Sequence, residues 1–157
     1  MHMKAIYLAV ASSLALAACG GSSDSSSDVP VSTANQLTGT LSDSAVKGVA
    51  YTSSSGISGS TGDNGEFKYV AGDKVSFKIG NVTLGSVDMA SATLGTQAGK
   101  RVVRPKDLAG VTDETDVKAL AIAQVIQTAA AASPTDTKID VSVNAPKFSS
   151  DLRVKPF

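Results

Sequence analysis

The stretch KVSFKIGNVTLGSV, residues 74–87, limits the possible folds of this chain more than any other. Val75, Phe77 and Ile79 alternate with Lys74, Ser76 and Lys78, the two-residue period of a strand with one buried face. Gly80-Asn81 can reverse the chain in two residues, after which Val82 and Leu84 resume the apolar face. So short a loop sets Ile79 opposite Val82 on one side of the sheet, so turn chemistry and face agree. The same texture begins at Leu37. LTGTLSD and VKGVAYTSS read as strands with a short turn between them. ISGST and EFKYV flank GDNG, whose Asp, Asn and Gly suit a tight hairpin. Short strands with frequent turns predict a mainly β protein, a small antiparallel β-sandwich of about six to seven strands. The chain has no Trp, 4 Phe and 3 Tyr, so Val, Ile, Leu and Ala must fill most of its core. Phe67, Tyr69, Val75, Phe77, Ile79, Val82 and Leu84 are expected to face one interior.

The first 36 residues carry no such pattern. Met1 to Lys4 is a short basic start, and Ala5 to Ala18 is an uncharged, mostly apolar run. That run is shorter than the roughly 20 residues of a membrane-spanning helix and fits the apolar region of a secretory signal. Leu16-Ala17-Ala18-Cys19 resembles the lipobox of bacterial lipoproteins. The resemblance implies cleavage before Cys19, acylation of its sulfur and a lipid anchor. Gly20 follows the cysteine, where the inner-membrane retention signal of such lipoproteins has Asp, so the resemblance implies the outer membrane of a Gram-negative bacterium. Gly20 to Gln36, GGSSDSSSDVPVSTANQ, has almost nothing to bury and reads as a flexible tether. With Cys19 acylated, the only cysteine is spent and packing alone must stabilise the domain.

The segment from Gly39 to Gly85 resembles the transthyretin-like, carboxypeptidase-regulatory-like β-sandwich modules of bacterial surface proteins. Gly39 and Asp43 sit at the first strand and turn of that pattern, and Gly48-Val49 at its second strand. Thr61-Gly62-Asp63-Asn64-Gly65-Glu66-Phe67 matches its T-D-x-x-G-x-F hairpin, with Gly62 inserted between Thr and Asp. Ala71-Gly72-Asp73 matches its next turn. The resemblance implies a scaffold or attachment module.

From Arg101 the texture changes again. RVVRPKDLAGV gives a short apolar pair, Pro105 and a turn, and TDETDVKALAIAQVIQTAAAA reads as a helix. Thr112 or Asp113 can cap it, with Asp113, Glu114 and Asp116 near its positive end. Val117, Ala121, Ile122, Val125 and Ile126 are expected on one broad side with Leu120 opposite, a helix that packs on the sheet and also meets something else. Ser133-Pro134 ends it. Ile139 to Phe157 adds one strand. The predicted organisation is a signal peptide at 1–18, a lipidated cysteine and linker at 19–36, a sandwich module at 37–100, and a strand-helix-strand extension at 101–157.

The chemistry such a chain can perform is narrow. Its 14 basic and 14 acidic side chains give no global pull toward nucleic acid. The one histidine, His2, lies in the predicted signal, so no catalytic triad or histidine-based zinc site is expected after it. GTQAGKR, residues 95–101, is too short between its glycines for a phosphate loop and reads as a connection before a strand. GDNG lacks the acidic spacing of an EF-hand. TDETD reads as a helix cap or as a calcium site. Lys100, Arg101, Arg104 and Lys106 form a basic patch, either a solvated loop or a contact for anionic lipid. Two carboxylates suffice for glycoside cleavage, so acid-only chemistry stays open, although most acids here sit in turns and at a helix start.

The expectation is therefore a non-enzymatic envelope lipoprotein with no cofactor, no metal site and no catalytic residue. Cys19 is its lipid-attachment residue. Its role would be structural, adhesive or that of an interaction module, partnered with the membrane through the anchor and with itself or an envelope protein through 117–157. An accessory domain of an extracellular hydrolase and a pilus or fibre subunit using strand exchange are the alternatives.

Overall fold

The computed structural model describes residues 35–130 and 138–147. Within them the fold is mainly β, with ten strands and two helices. Seven strands form the region of regular alternation: β1 (Gln36–Leu41), β2 (Ala45–Lys47), β3 (Ala50–Ser53), β4 (Ser58–Ser60), β5 (Glu66–Val70), β6 (Lys74–Ile79) and β7 (Val82–Asp88). β8 (Gly95–Gln97), β9 (Lys100–Val103), α1 (Pro105–Ala109), α2 (Val117–Ala129) and β10 (Lys138–Asp140) follow. The strand count thus exceeds the expected six to seven. The excess comes from breaks at Gly48-Val49 and from short strands beyond residue 94, where sequence alternation is too brief to read.

The strands assemble into a four-stranded sheet ordered β5-β1-β9-β8, a second ordered β4-β3-β6-β7, and the pair β10-β2. Neighbours are mostly antiparallel, but β1 pairs with β9 in parallel and β2 with β10 in parallel. The expected all-antiparallel arrangement is corrected on this point. Parallel partners need a long crossover, and here they lie far apart in sequence, beyond the reach of local turn signals. The expected boundary at residue 100 falls at the start of β9, which occupies the middle of the first sheet.

Both four-stranded sheets contribute to one core. Leu41, Phe67, Tyr69 and Val103 come from the first, and Tyr51, Val75, Phe77, Ile79, Leu84 and Val87 from the second. Phe67 joins them: its ring lies edge-on to Phe77, with centroids 5.0 Å apart and planes at 85°. Gly39, opposite Phe67 in the ladder, gives that ring its space, because a Cβ built on Gly39 would lie inside it. Of the expected interior residues, Phe67, Tyr69, Val75, Phe77, Ile79 and Leu84 are buried. Val82 is only half-buried, since it stands at the turn end of its strand.

The β6–β7 hairpin forms as its sequence predicts, with Ile79 opposite Val82. Farther along, the register shifts between Phe77 and Lys78, which face Gly85 and Thr83 and leave Leu84 as an extra residue. Gly85 has a φ of 150°, and a Cβ there would strike the carbonyl of Leu108. Glycine therefore lets α1 lie directly against β7, covering one side of the second sheet.

The hairpin expected at GDNG is a turn of another kind. Gly65 N–H donates to Gly62 O (2.9 Å), but β4 and β5, on either side, belong to different sheets. The turn carries the chain from one sheet to the other. Thr61 fixes this corner from within: its buried hydroxyl donates to Val46 O at 2.6 Å and accepts from Val49 N–H at 3.0 Å. Those bonds satisfy backbone groups at the break between β2 and β3.

Two helical expectations are also corrected. PKDLA is a short helix, α1, and not only a turn. α2 starts at Val117, capped by Asp116, whose carboxylate accepts from Lys118 N–H at 2.8 Å; neither Thr112 nor Asp113 is its cap. Asp113 instead closes a local turn by accepting from both the N–H and the hydroxyl of Thr115, which removes it from the helix. Ile126 is buried as expected, with Ala119 and Ala129 beside it, and Ile122 and Val125 pack against the core in part. Val117 and Ala121 are exposed, contrary to expectation, because α2 meets the core through the Ala119–Ile126–Ala129 side.

Candidate functional site

A groove of about 530 Å³ runs between α2, the start of α1 and the β1–β2 turn. Leu120, Ala123 and Gln127 line it from α2, at spacings that put them on one helical face. Arg104, the N-cap of α1, and Lys106 on α1 line it from that side, and Ser42 and Asp43 from the turn. Glu114, on the loop between the two helices, reaches in from the side.

Local sequence explains why the backbone carrying the cations is held firmly. Pro105 pre-sets the first turn of α1, and Asp107 accepts from Arg104 N–H at 2.8 Å. Leu108 and Pro105 are buried, so α1 is fixed against the sheets. Arg104 Nη1 lies 3.3 Å from Glu114 Oε1, and Lys106 Nζ lies 3.5 Å from the same oxygen. The Lys106 side chain retains 23% of its exposure, and Glu114 retains 61%. Pairs this exposed contribute little to stability.

The basic patch expected from the sequence is therefore divided. Arg104 and Lys106 converge on Glu114, while Lys100 and Arg101 lie on β9 at the other sheet surface, beside Tyr69 and Thr96. Arg101 spends one N–H on Leu94 O (3.2 Å). The Tyr69 hydroxyl beside it is pushed up by burial, against a smaller opposing pull from Arg101.

The TDETD acids separate in the same way. Asp113 bonds Thr115, Asp116 caps α2, and Glu114 turns to the cations. The Asp113 carboxyl is held low by the Thr115 bonds. Among the described residues, no three His, Cys, Asp or Glu side chains gather as a metal site would require. GTQAGKR is the β8–β9 hairpin, turning at Ala98-Gly99, where Ala98 adopts a φ of 49°. Cys19 and residues 20–34 of the expected tether lie outside the described residues, while Gln36, the tether's expected last residue, is the first of β1.

One polar centre had no reading as a site in the sequence. Asp73, only 5% exposed, accepts from Ser54 Oγ (2.9 Å), Ser55 N–H (2.9 Å), Ser55 Oγ (2.7 Å) and Val70 N–H (2.7 Å). Burial pulls its carboxyl upward, but these bonds outweigh burial and hold it below the usual carboxylate range. The Ser53-Ser54-Ser55 run was the only available signal. A second polar cluster is exposed: Lys47 Nζ lies 2.8 Å from Asp63 and 3.8 Å from Asp140, joining β2, the sheet-crossing turn and β10.

Of the large apolar side chains left exposed among the described residues, Leu120 lines the groove. Among the described residues those side chains are Leu37 (45%), Val117 (80%), Leu120 (53%) and Val143 (74%), and three of the four fall between 117 and 143. No helix among the described residues is long and apolar enough to cross a membrane. In comparisons with known proteins, no family model, no curated protein and no solved structure matches the chain.

Proposed function

We propose that this chain is a lipid-anchored interaction module of a Gram-negative outer membrane, acting by contact and not by turnover. Cys19 carries the anchor, residues 20–34 form the tether, and the two sheets form a transthyretin-like sandwich that presents α2 and the segment after it to an envelope partner. The lipobox-like LAAC at 16–19 supports the anchor. The observation that carries the contact reading is the exposure of Val117, Leu120 and Val143 between residues 117 and 143, where the other large apolar side chains among the described residues are mostly covered.

A photo-crosslinking residue in place of Leu120, in the full chain in its own envelope, tests the reading. The expected result is a discrete adduct that Val117→Lys abolishes. No adduct, together with an unmodified Cys19 thiol by mass spectrometry, would overturn both contact and anchor. An acylated Cys19 without an adduct would overturn contact alone.

A further inference from the structure

The groove between α1 and α2 also points to a ligand chemistry, and this does not depend on the lipid anchor. We propose that it binds a small carboxylate with an apolar body, and that Glu114 occupies the place of the ligand's carboxylate in the free protein. Two cations, Arg104 and Lys106, approach a single carboxylate oxygen at 3.3 and 3.5 Å. Such a pair of donors can hold a carboxylate from any source. Lys106 stands on α1 and Arg104 is its N-cap, and α1 packs against β7 through Leu108, so the backbone that carries both cations is set before any ligand arrives. Glu114 is different. It sits on a loop, is largely exposed, and among the described residues its carboxylate bonds only those two cations.

A competing anion therefore meets two cations on a fixed backbone and a loosely held occupant. The rest of the groove decides what else that anion carries. Leu120, half exposed, and Ala123 form an apolar wall beyond the cations, with the Gln127 amide farther along the same face. A bare anion would leave that wall in water. An aliphatic or aromatic carboxylate would cover it while its charge replaced Glu114.

Octanoate and inorganic phosphate are the probes, titrated against the full chain carrying Cys19→Ser so that no acyl group of its own competes. Binding is read from amide shifts at Lys106 and Leu120. Octanoate should bind the parent protein, and Glu114→Gln should tighten it by about twofold, the worth of releasing an exposed ion pair. Arg104→Ala with Lys106→Ala should abolish it, and higher salt should weaken it. Phosphate should bind more weakly than octanoate. Equal binding of phosphate would overturn the role of the apolar wall. If Glu114→Gln does not tighten binding, or if the double alanine variant still binds octanoate while melting like the parent, the proposal fails. Should the double variant not fold, Lys106→Gln alone carries the test, with a loss of binding expected.

Discussion

Asp73 and Glu114 are both carboxylates that gather donors, yet the regions around them differ in kind. Asp73 lies at the end of the paired sheets, buried, with four donors from the β3–β4 loop and from Val70. Glu114 lies on the helical flank, exposed, with two cations at the outer limit of bonding distance. In a dry site a carboxylate must be fully bonded or it destabilises the fold, so its donors are fixed. In a wet site water substitutes for any donor, so the same chemistry is exchangeable. The first arrangement holds two loops of a scaffold together; the second leaves a place that a ligand can take.

The difference can be tested by perturbing each region in turn. Phe77→Ala, in the shared core of the sheets, should cost about 3 to 5 kcal/mol and unfold much of the protein in a thermal melt. A melt within a degree or two of the parent would show that the sheets do not share that core. Asp73→Ala should cost about 3 kcal/mol, because it strands two N–H groups and two serine hydroxyls.

Acid sharpens the same point. A carboxyl held low in the folded state adds stability above its unfolded pKa and loses it as pH falls through the folded value. The advantage of the parent over Asp73→Asn should therefore be complete at neutral pH and shrink as pH falls below the ordinary carboxylate range. Asp63 and Asp140 are also held low, by Lys47 and by Ser142 respectively, so both proteins lose stability in acid; the difference between them isolates Asp73. A difference independent of pH would show that the charge is not what the serines hold.

On the helical flank the effects should be smaller. Asn144 donates to Ala129 O at 3.1 Å and ties the end of α2 to the segment after β10, so Asn144→Ala should cost about 1 to 2 kcal/mol in a chemical denaturation curve. Glu114→Gln should change stability by less than about 0.5 kcal/mol. A loss as large as that at Asp73 would erase the distinction and make Glu114 part of the scaffold.

The legible parts of the fold are those in which one segment suffices. Lys74 to Val87 announces its hairpin, its buried face and the Ile79–Val82 pairing because all three depend on neighbours in sequence, whereas the register shift between Phe77 and Lys78 is not legible there. Asp116 was among the acids read at the start of α2, but its choice over Asp113 rests on Thr115, which draws Asp113 into a turn of its own. The candidate site was legible only as ingredients. Arg104, Lys106 and Glu114 were visible as charges, but whether they meet depends on how α1 sits on β7. That in turn depends on Gly85, about twenty residues away in sequence.

The sequence by itself determined the period-two faces, the β6–β7 hairpin, the aliphatic core and the existence of a helix after residue 112. Each follows from the fixed geometry of a pleat or a turn over a few residues. Tertiary structure alone decided that β9 lies between β1 and β8, that the turn at 62–65 changes sheets, that Asp73 is buried among serines, and that two cations share one carboxylate. These arrangements join residues distant in the chain. Packing in three dimensions selects them, and no local period records its choice.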